Sequence, residues 1–274
     1  MFLELNQTEL HPLLEFTYQR FGFDFRGYGL SSLKRRIERF LKLFGLRNIH
    51  ELIHLLENNP TLFDNFRNEL TVNTTEMFRD LSFWKVIQQQ LIPSIQNKKS
   101  IRIWHNGCST GEEVYSLAIL LLEAGLLDKC SIIGTDINTD AIKTAKKGIY
   151  KSRYIDIYSN YYREITGSTD SLHKYGSSID ENQFQFNEEL RNKIHFDYFD
   201  VIQHHKDEVY DLILSRNVLI YFTMGLQNQV MNKLYHNLNR EGHICFGYKE
   251  NITWCSTYKY LTEFSSEEKI YERK

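Results

Sequence analysis

Two groups of residues in this 274-residue chain have types and spacings suited to chemistry. The first is the run Gly107-Cys108-Ser109-Thr110-Gly111-Glu112-Glu113, followed at a distance by Asp136. Gly107 and Gly111 let the backbone turn and approach a ligand closely. Ser109 or Thr110 can cap a helix opened by Glu112 and Glu113, whose charges suit a helix N-terminus. Asp136 ends the apolar run Ser131 to Thr135, and an acid at such a strand end can accept hydrogen bonds from a ribose diol. The loop is not GxGxxG, and two acids at the helix start would repel a pyrophosphate. A cationic adenosine ligand fits better, and S-adenosylmethionine has a ribose, an adenine, a sulfonium and an amino acid tail without phosphate.

The second group is His50-Glu51-Leu52-Ile53-His54, a match to H-E-x-x-H that would place both histidines on one helix face, as zinc requires. No third histidine follows at the metzincin spacing, and Glu69 or Glu76 as a downstream ligand lies in an unrelated stretch. Leu52, Ile53, Leu55 and Leu56 make a plain amphipathic helix, so no metal is expected and a zinc hydrolase remains a remote alternative.

Stepping outward, Ile101, Ile103 and Trp104 suit a buried strand leading into the glycine loop. Val114, Leu117, Ala118, Leu121 and Leu122 then recur at helical spacing as a stripe that would pack on a sheet. Strands are expected at residues 131–135, 193–199, 211–215, 243–248 and 270–274, with helices at residues 140–147 and 226–238 between them. Such alternation predicts a mainly parallel sheet covered on both faces. Residues 9–70 read as helical throughout. Leu30, Leu33, Ile37, Phe40, Leu41 and Phe44 form a core face there, opposite a basic stripe of Arg35, Arg39 and Lys42 with Lys34 and Arg36 at its margins. A helix over residues 81–95 and a polar linker, 96–100, lead to the first strand. Residues 149–193 are rich in tyrosine and polar residues, with weak periodicity and turns at Gly167 and Gly176.

A net charge of -2 gives no global attraction to nucleic acid or anionic membrane, so electrostatic recognition must be local. No basic region followed by an apolar run opens the chain, and no stretch approaches a bilayer's span, which predicts a cytoplasmic protein. Cys108, Cys130, Cys245 and Cys255 are scattered without C-x-x-C and are expected to be reduced. His204-His205 is expected in an exposed loop. A monomer is the default expectation.

The residues also resemble a known family. Gly107 to Glu113 with Tyr115-Ser116 is similar to the signature loop of the chemotaxis receptor glutamate methyltransferases, the CheR type. Asn73-Thr-Thr-Glu-Met-Phe-Arg79 resembles that family's Asn-x-Thr-x-Phe-Phe-Arg. Gly134 to Asn138 resembles its acidic strand end, and Ser215-Arg-Asn-Val-Leu-Ile-Tyr-Phe222 resembles its Cys-Arg-Asn-Val-x-Ile-Tyr-Phe. The resemblance implies a Rossmann-like α/β methyltransferase domain (101–274) with a small antiparallel β-subdomain inserted at 149–193. An all-α domain (1–72) and a motif and linker helix (73–100) would precede it.

It further implies that S-adenosylmethionine is consumed, S-adenosylhomocysteine is released, and a protein glutamate becomes a methyl ester. Arg79 and Tyr221 would orient the acceptor carboxylate. Glu113 would meet the cationic amino acid end of the cofactor, Asp136 the ribose and Asp200, with Val201 beside it, the adenine. Asn217 and Val218 would line the pocket, with Asn73, Thr75 and Gly107 completing it. Arg35, Arg39 and Lys42 would face an acidic helical segment of a receptor. The chain departs from the pattern at His105-Asn106, where a small pair is usual and the larger side chains predict a narrower loop. It departs again at Met77 for phenylalanine, Val114 for proline, Asp200 for asparagine and Ser215 for cysteine. A docking protein of a signalling array that binds cofactor without catalysis is the alternative function.

Overall fold

The structure, a computed structural model, describes residue 5 and residues 7–71 and 74–274. Its N-terminal part holds α1 (Gln7–Phe21), α2 (Leu30–Leu43), α3 (Ile49–Asn58) and α4 (Leu62–Leu70). The helical run is thus broken at Gly22 to Gly29, at Gly45 and at Asn59-Pro60. At the end of α2, Gly45 takes φ +65°, and the Gly45 and Leu46 amides donate back to the Lys42 and Leu41 carbonyls at 3.3 and 2.8 Å. That is the paired closure a left-handed residue allows after a helix. Asn48 starts α3 by accepting from the Glu51 amide at 2.9 Å. Leu33, Ile37, Phe40 and Leu41 of α2 are buried against Phe63, Phe66 and Leu70 of α4. Leu30 is only partly covered and Phe44, beyond the helix end, is exposed, so the core face is shorter than its pattern suggests.

Next come α5 (Leu81–Val86), a π-helical stretch (Ile87–Leu91) and α6 (Ile92–Ile95), followed by β1 (Ile101–Asn106), α7 (Glu112–Glu123), β2 (Cys130–Asp136) and α8 (Thr139–Lys147). Residues 149–193 form β3 (Ile149–Lys151), α9 (Ser152–Thr166), β4 (Gly176–Ser178), β5 (Gln183–Phe186) and α10 (Glu188–Arg191). The chain closes with β6 (Ile194–Tyr198), β7 (Tyr210–Leu214), α11 (Met224–His236), β8 (Leu238–Cys245), β9 (Leu261–Ser265) and β10 (Ile270–Arg273). Strands order as β6-β2-β1-β7-β8-β10-β9, parallel except for the antiparallel pairs of β10, while β3, β5 and β4 make a separate antiparallel sheet.

Alternate side chains feed alternate layers, as the pleat requires. Ile101 and Ile103 of β1 and Leu212 and Leu214 of β7 enter one core; Trp104, Tyr210 and Ile213 enter the other. α7 is buried nearly all round rather than along one stripe. The inserted sheet covers its second side, with Tyr115 stacked on Phe186 at a centroid distance of 4.7 Å.

Candidate active site

The chain leaves β1 for β2 and β6 on one side and returns to β7 on the other, so a crevice opens beyond the carboxyl ends of these strands. This is where open α/β sheets bind ligands. A cleft lies there. Gly107, Asp136, Asp200, Val201, Asn217, Val218 and Tyr221, all expected at the site, line it together. Tyr28, Ser32, Leu70 and Thr71 of the helical part close it from above, a contribution no motif signalled.

Gly107 has φ +74°, and a Cβ there would meet Val218 Cγ2 at 2.4 Å. Only glycine lets the β1 loop and the β7 loop touch. The helix after it is capped differently from expectation. Gly111, at φ +92°, is the N-cap of α7, and neither Ser109 nor Thr110 caps it. The Thr110 hydroxyl instead donates to Glu112 at 2.6 Å, and the Ser109 amide donates to Asp136 at 2.7 Å. Asp136 also accepts from the Asn138 amide at 2.8 Å, which uses part of its acceptor capacity and leaves lone pairs for a ligand. Burial pushes the Asp136 and Asp200 carboxyls up despite these amides. Asp200 turns one oxygen to the Ile202 amide at 2.8 Å. Two buried acids, of which Asp200 is only partly balanced by the Lys233 charge, suit a ligand with hydroxyl, amine or cationic groups and disfavour phosphate.

Thr75, Arg79 and Glu113 do not line this cleft; Arg79 and Glu113 are tied to Arg216, the neighbour of lining Asn217. Arg216, 6% exposed, donates to Glu113 at 2.7 Å, to Asp80 at 2.5 Å and to the Arg79 carbonyl at 3.4 Å. Its guanidinium stacks over Phe83 at 3.9 Å. For Glu113, burial raises the carboxyl's pKa, but Arg216 and His105 more than offset it and hold the group below the usual range. Phe78 and Asp80, on either side of Arg79, have φ of +57° and +62°. Strain of this kind persists only where surroundings impose it, and here the Arg216 bonds and the Phe78 amide to Ser116 Oγ, 3.0 Å, do so. Asn73 lies outside the described residues.

His105 does not narrow the loop. Its ring is buried and faces Glu113 at 3.8 Å, while Asn106 lines the cleft and bonds Ser215 Oγ at 2.9 Å. The larger pair is thus absorbed by partners on neighbouring elements.

Tyr221 sits where the two parts of the chain meet. Its carbonyl accepts from the Gly29 amide at 2.7 Å, and the Thr223 amide donates to the Gly27 carbonyl at 2.8 Å. Burial raises the Tyr221 hydroxyl's pKa, opposed by the charges of Arg36, Arg79 and Arg35. Arg36 reaches inward to the Glu69 and Thr71 carbonyls at 3.4 and 3.1 Å. Arg35, Arg39 and Lys42 are exposed on α2, with Arg39 paired to Glu69 at 2.8 Å. His50 and His54 are exposed on α3, and Asn58 donates to the His54 carbonyl at 2.8 Å. Among the described residues no group of three or more His, Cys, Asp or Glu is placed to hold a metal.

Family models place this chain among known proteins. Residues 73–268 match "CheR methyltransferase, SAM binding domain", and residues 8–71 match "CheR methyltransferase, all-alpha domain". Cher3 of Pseudomonas putida is 34% identical over 248 residues, 89% of each chain. The chemotaxis protein methyltransferase of Borreliella burgdorferi is 27% identical over 94% of this chain and 93% of its own. That of Salmonella typhimurium is 26% identical over 92% and 86%. Among solved structures, the N-methyltransferase NodS from Bradyrhizobium japonicum with S-adenosyl-l-homocysteine covers 72% of this chain and 90% of its own at 16% identity and TM-score 0.39, too loose to bear on assignment.

Proposed function

Because this chain belongs to the CheR methyltransferase family and is an S-adenosylmethionine-dependent methyltransferase, we propose that it esterifies glutamate side chains of a chemoreceptor-like protein. The observation that carries this reading is the placement of Tyr221. It lines the cofactor cleft, and against burial and the Glu250 charge, which raise its hydroxyl's pKa, Arg36, Arg79 and Arg35 lower it. A cationic rim around a phenol beside a methyl donor is a receptor for a carboxylate.

The cofactor supplies an electrophilic methyl group when bound. The acceptor needs little activation, because a glutamate with a pKa near ~4.3 is already ionised at neutral pH. No general base is required, so the residues act by position. Arg79 and Tyr221 orient the carboxylate, Glu113 receives the cationic amino acid end of the cofactor, Asp136 the ribose and Asp200 the adenine amine. Gly107, Val201, Asn217 and Val218 form the walls. Tyr28 and the α2 residues cover the cleft and keep water out.

In the proposed division of labour, residues 1–72 read the partner, 73–100 carry Arg79, and 101–274 bind cofactor, with 149–193 inserted. Arg35, Arg39 and Lys42 on exposed α2 are complementary to an acidic helical segment. That the Borreliella and Salmonella relatives are chemotaxis protein methyltransferases supports chemotaxis as the setting, where we propose that a monomeric cytoplasmic enzyme meets the receptor. No helix among the described residues is long and apolar enough to cross a membrane. Arg79→Ala should lower methyl transfer far more than cofactor affinity, measured by calorimetry beside initial rates; equal losses of both contradict an orienting role. Tyr221→Phe tests the hydroxyl alone.

A further inference from the structure

Beyond the motif residues, one buried acid accounts for the shape of the cleft's wall. Glu250 is 3% exposed, and the partners of its carboxylate are backbone amides rather than a cation. One oxygen accepts from the Asn217 amide at 2.8 Å and from the Gly247 amide at 2.6 Å, and the other accepts from the Leu219 amide at 2.7 Å. Three donors from two loops therefore converge on a single side chain. The loops are also in contact, since a Cβ on Gly247 would meet Asn217 Nδ2 at 2.7 Å.

We infer that Glu250 is a positioning residue for the cofactor cleft, presetting the loop that carries Asn217, Val218 and Tyr221 before any ligand binds. Asn217 stands at φ +61°, a left-handed conformation that asparagine tolerates better than other side-chain-bearing residues but that contacts must still fix. The amide bonds to Glu250 impose it from one end of the loop. The bonds of Tyr221 and Thr223 to Gly29 and Gly27 fix the other end. An ionised carboxylate is suited to this role because both of its oxygens accept, whereas a glutamine would turn an NH₂ group towards at least one backbone donor. Without the clamp, ordering the loop must be met from the cofactor's binding energy.

The inference rests on the cleft being the cofactor site. The test compares wild type, Glu250→Gln and Leu234→Ala, the last a buried position of α11 in the same core whose own groups are not among the clamp's donors. S-adenosylhomocysteine affinity is measured by calorimetry, thermal unfolding reports stability, and hydrogen exchange of the Asn217, Leu219 and Gly247 amides is followed without ligand. Glu250→Gln should weaken affinity at least tenfold and speed exchange at those amides, while Leu234→Ala loses stability yet binds within twofold of wild type. Affinity and exchange of Glu250→Gln within twofold of wild type would overturn the inference. So would an equal loss of affinity in Leu234→Ala. Should Glu250→Gln not fold, the wild-type amides decide: exchange as fast as that of the adjoining exposed Tyr248 and Lys249 would overturn it, and strong protection would support it. Wild type failing to bind would refute the cleft's assignment, with the exchange data still deciding the clamp.

Discussion

Gly107→Ala should weaken the cofactor cleft in a way that Val218→Ala partly repairs. The added Cβ would stand 2.4 Å from Val218 Cγ2, against an ordinary contact of 3.4–4 Å, so the valine methyl must retreat by about 1 Å. Moving a packed β-branched side chain that far costs about 1–3 kcal/mol. Holding alanine at φ +74° costs a further ~1–2 kcal/mol. Since Val218 is a wall of the cleft, part of that strain falls on binding, and a loss of about 10- to 100-fold in S-adenosylhomocysteine affinity is expected, at 1.4 kcal/mol per decade. In the double variant the nearest valine atom left is Cβ at 3.8 Å, so the clash vanishes and only the backbone strain persists. A double-mutant cycle by urea unfolding and calorimetry should therefore return a favourable coupling of about 1–3 kcal/mol. Additive effects would refute the argument that the contact with Val218 is what demands glycine.

Arg216→Met leaves Glu113 and Asp80 facing each other without the cation that joins them. A loss of about 3 kcal/mol in urea unfolding is expected, at the low end for broken buried pairs because Asp80 is partly exposed; a loss under ~1 kcal/mol would show that the pair is not a structural hub. Burial pushes the Glu112 carboxyl up to about 7. The folded state therefore keeps a proton that the unfolded chain, near ~4.3, has released, and stability falls as pH rises from about 4.3 to 7. Glu112→Gln should thus stabilise by about 1–2 kcal/mol at pH 8 and have no effect near pH 4.5 in thermal unfolding, and an equal gain at both would contradict the sign. Arg35→Glu should raise the KM for the protein acceptor roughly tenfold at low ionic strength, less at high salt, with cofactor affinity unchanged; an unchanged KM would remove α2 from acceptor recognition.

Much of this architecture is legible in the chain because local and long-range signals agree. The pattern of Ile101 to Trp104, the glycines that follow and Asp136 at the next strand end specify strand, loop, helix and strand together, and these place the crevice. The basic face of α2 is equally readable, as Arg35, Arg39 and Lys42 do emerge on the surface. What stayed hidden depends on contacts between distant residues. Nothing near Tyr28 announces that its backbone bridges to Phe222, and Glu250 carries no periodic signal for the amides it gathers from two loops. The inserted segment reads as weakly periodic although α9 does bury one face, because that face is built of Tyr158, Ser159 and Tyr162 beside Ile155 and Ile165, residues that do not register as a plain apolar stripe. The capping expectation failed at Ser109 because its amide is recruited by Asp136, leaving Gly111 to start the helix.

The central claim is ester formation on glutamate, and a labelled-methyl assay tests it most directly. Purified protein, S-adenosylmethionine carrying a labelled methyl group, and the cytoplasmic fragment of a chemoreceptor should give labelled receptor whose label is released as methanol by mild alkali, the mark of a carboxyl ester. Arg79→Ala should abolish most of that label while still binding S-adenosylhomocysteine. Label that resists alkali, or intact cofactor binding with no labelled receptor from any source, would contradict the account.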